Sequence, residues 1–229
     1  MKAILKILSS VLLLLFVFTQ CTPDDEIEID QNKIHVKYIV SYDAGKDLTH
    51  ASAAFRLNDV NGSVIQLTGH SYVNFNKELL IYRPVLAFYE TSFNQLIEEA
   101  EFKYVDLDSN IFINKVNLHT IDLPEIIDTI QVGFEYELVF IGDSLQKNEK
   151  ITAYTFSSLE TDIQSFSAKE ISAKSIIFSA DKTLQLNPGI NSIYLKREYK
   201  NPVLRANSVG AEIISEYKTA VRQVFVKVY

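Results

Sequence analysis

Short runs in which apolar and polar residues alternate recur along most of the chain, and a two-residue period is typical of β-strands with one buried face. The clearest runs cover residues 34–42, 132–140 and 224–228. Shorter runs fill the intervals, and residues that favour tight turns, such as Asn61-Gly62, separate several of them. The pattern therefore predicts an all-β chain built from many short antiparallel strands.

One stretch departs from this period and predicts a short helix. Ser92-Phe93-Asn94-Gln95 has the form of a capping box, in which the first and last side chains satisfy free backbone amides at a helix start. Leu96, Ile97 and Ala100 follow at helical spacing. We expect a connector of two or three turns here, between two strands.

The strand-rich part of the chain divides near Pro124, which interrupts any strand across residues 120–128. Each half, residues 33–122 and 128–229, opens and closes with an alternating strand. This arrangement predicts two antiparallel β-sandwich domains in tandem. The chain has no tryptophan, so the Cys…Trp…Cys core of antibody domains is absent and only an immunoglobulin-like fold is predicted.

The first twenty residues have the pattern of a secretory signal peptide. Lys2 and Lys6 precede an unbroken apolar run over residues 11–18. With its apolar flank this run is about a dozen residues long, which is short of the ~20 needed to cross a bilayer as a helix. The chain's single cysteine, Cys21, follows directly.

Phe18-Thr19-Gln20-Cys21 resembles a bacterial lipobox, the motif whose cysteine is acylated and becomes the first residue of the mature protein. The usual motif has Leu where Phe18 stands and a small residue where Gln20 stands, so the match is to the looser form found in Bacteroidota. The resemblance implies a signal peptide over residues 1–20 and palmitate or a related acyl chain on Cys21. The alternative is an ordinary signal peptide followed by a free cysteine.

The residues after the cysteine are acidic. Asp24-Asp25-Glu26 resembles the export signal of Bacteroidota surface lipoproteins, although a solvated linker has the same composition. Together the two resemblances imply a lipidated acidic tether over residues 21–32 and an outer-membrane location. The cell surface is the predicted side of that membrane, and the periplasmic face is the alternative.

Composition narrows the classes of function. The chain carries 22 Lys and Arg against 29 Asp and Glu, a net charge of −7, which argues against nucleic-acid binding. One cysteine permits neither an intrachain disulfide nor a cysteine-ligated metal. The basic segment at residues 196–200 is predicted to be an exposed loop.

Motifs of catalysis are absent from the sequence. It contains no Gly-x-Ser-x-Gly elbow, His-Glu-x-x-His pair, Walker A loop or Gly-x-Gly-x-x-Gly turn. The histidines His35, His50, His70 and His119 are scattered without ligand spacing. We therefore expect a protein that is not an enzyme and has no cofactor apart from the covalent lipid.

The best candidate for a metal site is the segment containing Asp106, Asp108 and Asn110, whose hard oxygens at alternate positions could bind Ca²⁺. The glycine and distal glutamate of an EF-hand loop are missing. The same residue types also favour a hairpin turn for backbone reasons. Calcium binding and a plain turn both remain open at this point.

Aromatic residues supply a candidate binding face. Tyr82, Phe88 and Tyr89 cluster near the predicted connector and could contact a sugar or a protein. Aromatic residues also fill β-sandwich cores, which is the alternative for these three.

The sequence thus predicts a non-catalytic envelope lipoprotein, a binding or scaffolding module displayed on the outer membrane. A fimbrial or adhesin-type subunit is one alternative, because the final strand over residues 221–229 has no polar tail and could be exchanged between copies. A carbohydrate-binding accessory protein is another. The expected partners are the membrane, through the lipid, and a protein or glycan. The ligand's identity, the oligomeric state and any true repeat of the halves are left open.

Overall fold

The structure is a computed structural model that describes residues 29–157 and 162–228. It is nearly all β, which confirms the predicted fold class. Residues 1–20, Cys21 and the tether up to residue 28 lie outside the described residues, so the signal peptide and the lipidation site stay predictions. None of the helices in the described ranges has the length and apolar character that crossing a bilayer requires.

The strands follow one another along the described residues with two short helical turns among them. They are a 3₁₀ turn at Gln31–Lys33, β1 (Ile34–Asp43), β2 (Leu48–Leu57), β3 (Tyr72–Phe75), β4 (Glu78–Leu79), β5 (Ile81–Arg83), β6 (Phe88–Phe93), β7 (Glu99–Val105), β8 (Ile111–Asn117), β9 (Ile130–Gln131), β10 (Tyr136–Val139), β11 (Glu149–Phe156), β12 (Gln164–Ala168), β13 (Ser175–Phe178), α1 (Ala180–Thr183), β14 (Gly189–Lys200), β15 (Ala211–Lys218) and β16 (Arg222–Lys227).

The alternating runs are strands, with one shortened. β1 buries every second residue from Val36 onward, as its sequence pattern predicts. The run at residues 132–140 forms a strand only from Tyr136 to Val139. Its first part is a turn, because Gly133 has a φ of 80° and the Phe134 amide donates to the carbonyl of Gln131.

The predicted turn at Asn61-Gly62 is present. The Leu57 amide donates to the Ser63 carbonyl across it at 2.9 Å. Glycine is required at position 62 because a Cβ there would lie 1.7 Å from the carbonyl oxygen of Leu57. The close approach of two backbone segments therefore decides the residue type.

The predicted helix after Ser92 is wrong. Ser92 and Phe93 end strand β6, where Phe93 pairs with Thr49 of β2. The Thr49 hydroxyl donates to the carbonyl of Gln95 at 2.6 Å and holds the chain between β6 and β7. Pairing with a distant strand has overridden a local capping signal.

The strands form three sheets. The large sheet has ten strands, with β12-β11-β14-β15-β1-β2-β6-β5 in order, β16 beside β14 and β9 beside β16. A four-stranded sheet, β4-β3-β7-β8, and a two-stranded sheet, β10-β13, complete the fold. All strand pairs are antiparallel among the described residues except β1 with β15 and β9 with β16.

The small sheets pack on the same side of the large sheet and enclose two hydrophobic cores. In the first core, Tyr38 of β1 lies 4.6 Å from Phe102 of β7, measured between ring centroids. In the second, the rings of Phe166 and Phe178 stack at 3.8 Å. Leu138 and Ile193 are fully buried in the same cluster.

A long ribbon of β14, β15 and β16 joins the two cores. β14 pairs with β15 near its C-terminal end and with β16 near its N-terminal end. Thr219, between β15 and β16, lies opposite Leu195, and its hydroxyl accepts a hydrogen bond from the Leu195 amide at 3.0 Å. The Thr219 amide donates to the Leu195 carbonyl at 3.0 Å, so the ribbon continues through this irregularity.

This ribbon crosses the predicted boundary between residues 122 and 128. β15 belongs to the second predicted domain, yet it pairs with β1 of the first along its whole length. Gln31–Tyr229 forms one compact unit. Each predicted half thus contributes a core, and the large sheet is common to both.

Candidate ligand-binding groove

The outer face, meaning the side of the ten-stranded sheet that points away from both cores, carries the candidate site. Inward residues of β1 and β14, such as Val40 and Leu195, are fully buried. Their neighbours Ser41, Tyr194 and Lys196 point to the other side and remain partly exposed. The period-two pattern of the strands therefore separates a packed face from an accessible one.

A groove of about 370 Å³ lies on this outer face where β1, β2, β14 and β15 meet. Its lining includes Asp43, Lys46, Tyr194, Lys196, Glu216 and Lys218. These residues come from three regions far apart in sequence, which are the end of β1 with the turn after it, β14 and β15, and only the pairing of the sheet brings them together.

Lysines and carboxylates alternate in the groove. Lys196 Nζ lies 2.7 Å from Glu216 Oε1, and Lys218 Nζ donates to Asp43 Oδ2 at 3.1 Å. Lys46 Nζ is 4.0 Å from the same Asp43 oxygen. Three ammonium groups and two carboxylates thus line the groove, and Glu198, which is paired directly opposite Glu216, adds a third carboxylate beside them on the same face. Partly exposed pairs contribute only about 0–1 kcal/mol each, so a charged ligand can exchange with either member.

A tyrosine pair borders the groove. Tyr154 of β11 and Tyr194 of β14 are directly paired across the strands, and their rings stack with centroids 4.9 Å apart. The Lys218 ammonium lies 5.0 Å from the centroid of the Tyr194 ring, within the range of a cation–π contact. Burial raises the pKa of the Tyr194 hydroxyl, and the nearby Tyr154 raises it further. At neutral pH this hydroxyl is therefore protonated and can both donate and accept a hydrogen bond.

The β2 side of the groove carries a second charged group. His50 Nε2 lies 2.6 Å from one carboxylate oxygen of Glu90, and Arg83 Nε donates to the other at 2.7 Å. Hydrogen bonds from His50 and Arg83 hold the pKa of Glu90 below its usual range against the opposing effect of burial. The Glu90 carboxylate is thus ionised and already bonded at both oxygens.

The structure separates the three aromatic residues that the sequence grouped as a binding face. Tyr89 is buried, and its hydroxyl accepts a hydrogen bond from the Leu67 amide at 2.7 Å. Tyr82 packs against it with ring centroids 5.0 Å apart. Phe88 alone lies on the outer face, edge-on to His50 at 6.5 Å. Tyr82 and Tyr89 therefore contribute to packing, and Phe88 lies beside the groove.

The residues of the calcium candidate form a turn. The Asp106 carboxylate accepts hydrogen bonds from the amide and from the side-chain Nδ2 of Asn110, at 2.8 and 3.0 Å. Asp106 is buried, whereas Asp108 is exposed. In residues 29–157 and 162–228, no three His, Cys, Asp or Glu side chains lie close enough together to hold a metal ion. The contacts give Asp106 and Asn110 the turn-forming role that the sequence also allowed.

A buried ion pair lies elsewhere in β14, inside the segment that the sequence predicts to be an exposed loop. That prediction is wrong for Arg197, which is 1% exposed because it points into the protein from the strand. Arg197 donates to both carboxylate oxygens of Glu149, at 3.1 Å from Nε and 2.6 Å from Nη2. Its Nη1 also donates to the carbonyls of Thr120 and Asp143, both at 3.1 Å.

Glu149 is the acceptor at the centre of this cluster. His119 Nδ1 contacts one of its oxygens, and the Gln146 amide donates to the other at 2.6 Å. Burial alone would raise the pKa of Glu149, but the hydrogen bonds from Arg197, Gln146 and His119 outweigh burial and lower it. Because Arg197 also binds the carbonyls of Thr120 and Asp143, the cluster fastens the connection between the halves to β14.

Sequence reasoning missed Tyr154, Tyr194 and the groove lysines as site residues. The two-residue period of a strand predicts that Tyr194 and Lys196, two positions apart in β14, point to the same face. Which strands are neighbours is a property of the fold, so the cross-strand pairs were not visible in the sequence.

No protein-family model matches the chain, and no curated protein matches it. Among solved structures, a 1.5-MDa bacterial ice-binding adhesin is 7% identical, with a TM-score of 0.27, over 85% of this chain and 66% of that one. SGBP-B of the Bacteroides ovatus mixed-linkage glucan utilization locus, solved with a mixed-linkage heptasaccharide, is 10% identical, with a TM-score of 0.26, over 90% and 62%. The ICAM-5 D1–D4 ectodomain fragment is 10% identical, with a TM-score of 0.23, over 84% and 51%. At these scores the matches assign no family to the chain.

Proposed function

We propose that the protein is a non-catalytic binding protein, held at the outer membrane by a lipid on Cys21, that binds its partner in the groove on the outer face. The observation that carries the proposal is the groove itself, which lysines, carboxylates and Tyr194 line and which the Tyr154–Tyr194 pair borders. Such a set offers charged, hydrogen-bonding and apolar contacts together, as binding sites require.

The anchor is supported by the lipobox-like segment ending at Cys21. Two or more acyl chains hold a protein stably on a membrane, whereas one alone is marginal. We expect Cys21→Ala to move the protein from the membrane fraction to the soluble fraction. Thr129→Ala, at an exposed position, serves as the control and should leave the distribution unchanged. A Cys21→Ala protein that stays in the membrane fraction would refute lipid anchoring.

The side of the membrane is tested on intact cells. Display on the surface predicts that protease added outside removes the protein without lysis. A periplasmic orientation predicts protection until the outer membrane is permeabilised, and that result would overturn surface display.

The groove is tested by binding measurements with glycan and protein partners. We expect Tyr194→Ala to abolish capture of the partner that the wild-type chain binds. Tyr72→Ala is the matched control, because Tyr72 is also partly exposed but lies on the four-stranded sheet. Equal loss in both variants would show that the groove is not the binding site.

A fimbrial or adhesin-type subunit is the second candidate. The strand that such a subunit would exchange, β16, pairs with β14 and, at Val226 and Lys227, with β9 of the same chain. Assembly by strand exchange would therefore have to replace these internal pairs. A ladder of oligomers on unboiled gels would favour this candidate, and a single monomer band would count against it.

A further inference from the structure

We propose that one end of the first core touches the membrane, with the β5–β6 turn, residues 84–87, inserted among the lipid headgroups. This proximal end holds Gln31, the start of β1 and the end of β2. The inference rests on the proposed lipid on Cys21 and adds a second membrane contact, made by the folded chain itself. It is carried by an exposed apolar turn, by the position of Gln31 and by the short stretch of sequence between Gln31 and Cys21.

The pairing register places the β5–β6 turn at the proximal end. Ile34, the first residue of β1, is opposite Leu57, the last residue of β2. β6 runs antiparallel to β2 and pairs through Tyr89 with Ala53, so the start of β6 points toward the end of β2. The turn that leads into β6 therefore lies at the same end of the sheet as the start of β1.

The β5–β6 turn is tightly held and apolar. The amides of Leu86 and Ala87 both donate to the carbonyl of Arg83, at 3.1 and 2.8 Å. Pro84 fixes its own φ, which restricts the turn further. Val85 is 96% exposed and Leu86 is 55% exposed. The turn thus holds two branched apolar side chains out in the solvent, where they gain free energy by entering an apolar phase.

Gln31 connects this end to the proposed anchor. Its carbonyl accepts a hydrogen bond from Asn207 Nδ2 at 2.6 Å, and its Oε1 accepts one from the Leu107 amide at 3.3 Å. Cys21 lies ten positions earlier, and ten residues span at most about 35 Å even when fully extended. A lipid on Cys21 would therefore keep the proximal end within about 35 Å of the membrane, where its exposed groups have a high effective concentration.

The charges at the proximal end balance, so the contact that we infer is apolar. Arg83 Nε lies 2.7 Å from Glu90 Oε1, and Lys37 Nζ lies 3.9 Å from Glu212 Oε2. Three basic and three acidic residues accompany these pairs among the described residues of this end, namely Lys33, Arg56, Arg205, Asp30, Asp59 and Asp108. Asp24-Asp25-Glu26 adds carboxylates near the anchor, so anionic lipids should not strengthen the contact.

The contact would also set the height of the groove. Asp43, which lines the groove, is nine residues from Ile34 along β1, roughly 30 Å at the rise of a strand. A second contact beside the lipid restricts how far the sheet can tilt. The groove would then stay clear of the headgroups and accessible to its ligand.

Fluorescence of introduced tryptophans tests the contact, because the chain has none of its own. The acylated full-length chain carrying Val85→Trp is reconstituted into phosphatidylcholine vesicles, and the readouts are the emission maximum and quenching by lipids brominated on their acyl chains. We expect a blue-shifted emission and strong quenching. Ile171→Trp is the matched control, because Ile171 is 66% exposed in the β12–β13 turn beside the second core, and it should stay unquenched.

A second reporter and charged variants show whether the turn causes the contact. Val60→Trp reports from the connection after β2, where Val60 is 38% exposed, and it should be quenched as well. Val85→Asp with Leu86→Asp should remove most of the Val60→Trp quenching, because carboxylates do not enter the apolar phase. Leu184→Asp, at a position 64% exposed on the second core, should leave it unchanged. Circular dichroism spectra and melting curves verify that every variant is folded.

Lipid composition and salt separate an apolar contact from an electrostatic one. Quenching of Val85→Trp should not increase when phosphatidylglycerol replaces part of the phosphatidylcholine. It should also be unchanged between roughly 0.05 and 0.5 M NaCl, because salt screens charges and not apolar contacts. Quenching that requires phosphatidylglycerol and disappears in salt would overturn the apolar contact.

The outcomes keep this inference apart from the proposed function. Equal quenching of Val85→Trp and Ile171→Trp would overturn the inference, since the molecule would then lie on its side. An unquenched Val85→Trp in a chain that stays on the vesicles would also overturn it, and the lipid would be the whole anchor. The proposed anchoring fails on a different result, the retention of Cys21→Ala in the membrane fraction.

Discussion

Two ion pairs that involve the central strands β14 and β15 have the same chemistry and opposite surroundings. Arg197 and Glu149 are both nearly fully buried, whereas Lys218 and Asp43 keep 38% and 23% of their side chains exposed. Arg197 donates to five acceptor atoms, which are both carboxylate oxygens of Glu149 and the carbonyl oxygens of Thr120, Asp143 and Ser144. Lys218 forms one hydrogen bond and one ring contact.

The difference separates a structural pair from an exchangeable one. The buried pair cannot lose a partner without leaving an unpaired charge in the interior, so it holds the connecting segments in place. The exposed pair is solvated in either state, and replacing one partner by a ligand group costs little. The alternation of side chains between the two faces of the large sheet thus places one ion pair inside the fold and the other in the candidate site.

The largest expected effect comes from breaking the buried pair. Arg197→Met leaves Glu149 charged and without its main donor, and we expect a loss of about 3–5 kcal/mol in the free energy of unfolding. Urea denaturation followed by tyrosine fluorescence measures it. Arg83→Met is the control, because Arg83 pairs with Glu90 at the surface and should cost less than about 1 kcal/mol. Equal losses in the two variants would contradict the contrast between the pairs.

The pH dependence of stability sharpens the comparison. The folded-state pKa of Glu149 is lowered below 4.5, so its contribution to stability is full above the unfolded-state pKa. That contribution is lost as the pH falls from about 4.5 through the folded pKa. In denaturation curves recorded from pH 6 to pH 3, Glu149→Gln should be less stable at pH 6 and should lose less stability on acidification than the wild type. Parallel curves for the two proteins would show that Glu149 does not titrate with folding.

A smaller effect is expected at the exposed pair. A double-mutant cycle of Lys218→Met and Asp43→Asn should give a coupling energy of roughly 0.2–1 kcal/mol in the free energy of unfolding. The corresponding cycle for Arg197→Met and Glu149→Gln should exceed it severalfold. A coupling at the surface as large as the buried one would remove the basis for calling that pair exchangeable.

Salt should produce the smallest effect. Raising NaCl from roughly 0.05 to 1 M shortens the screening length from more than 10 Å to about 3 Å. The coupling between Lys218 and Asp43 should fall toward zero, and that between Arg197 and Glu149 should stay within experimental error. Denaturation of the same variants at both salt concentrations measures this, and a salt-sensitive buried pair would be the contrary result.

Local periodicity was sufficient to predict the fold class and strands such as β1, although it overestimated the length of β10. β1 shows this, because a residue's exposure within it depends on its own position in a two-residue repeat. The predicted helix near Ser92 failed because the local signal competed with pairing to β2, which is over forty residues away. Strong local signals are reliable only where no distant strand needs the same backbone groups.

The candidate site could not be predicted in the same way. Each groove residue is ordinary within its own strand, and Lys196 and Arg197 are adjacent basic residues that a sequence does not distinguish. Lys196 is partly exposed and Arg197 is buried because their side chains point to opposite faces of the sheet once β14 is paired with β11 and β15. The parallel pairing of β1 with β15 had no local signal at all.

That parallel pairing also sets an order of events for the newly made chain. Asp43 and Lys218, which close the end of the β1–β15 register, are 175 residues apart. During synthesis β1 therefore waits for β15 before this edge of it is covered. Contacts so distant in sequence slow folding, and an uncovered strand edge invites aggregation. Maturation of the first core is thus coupled to synthesis of β15, and a nascent chain that stops before residue 211 would leave this edge of β1 open to pairing with another strand.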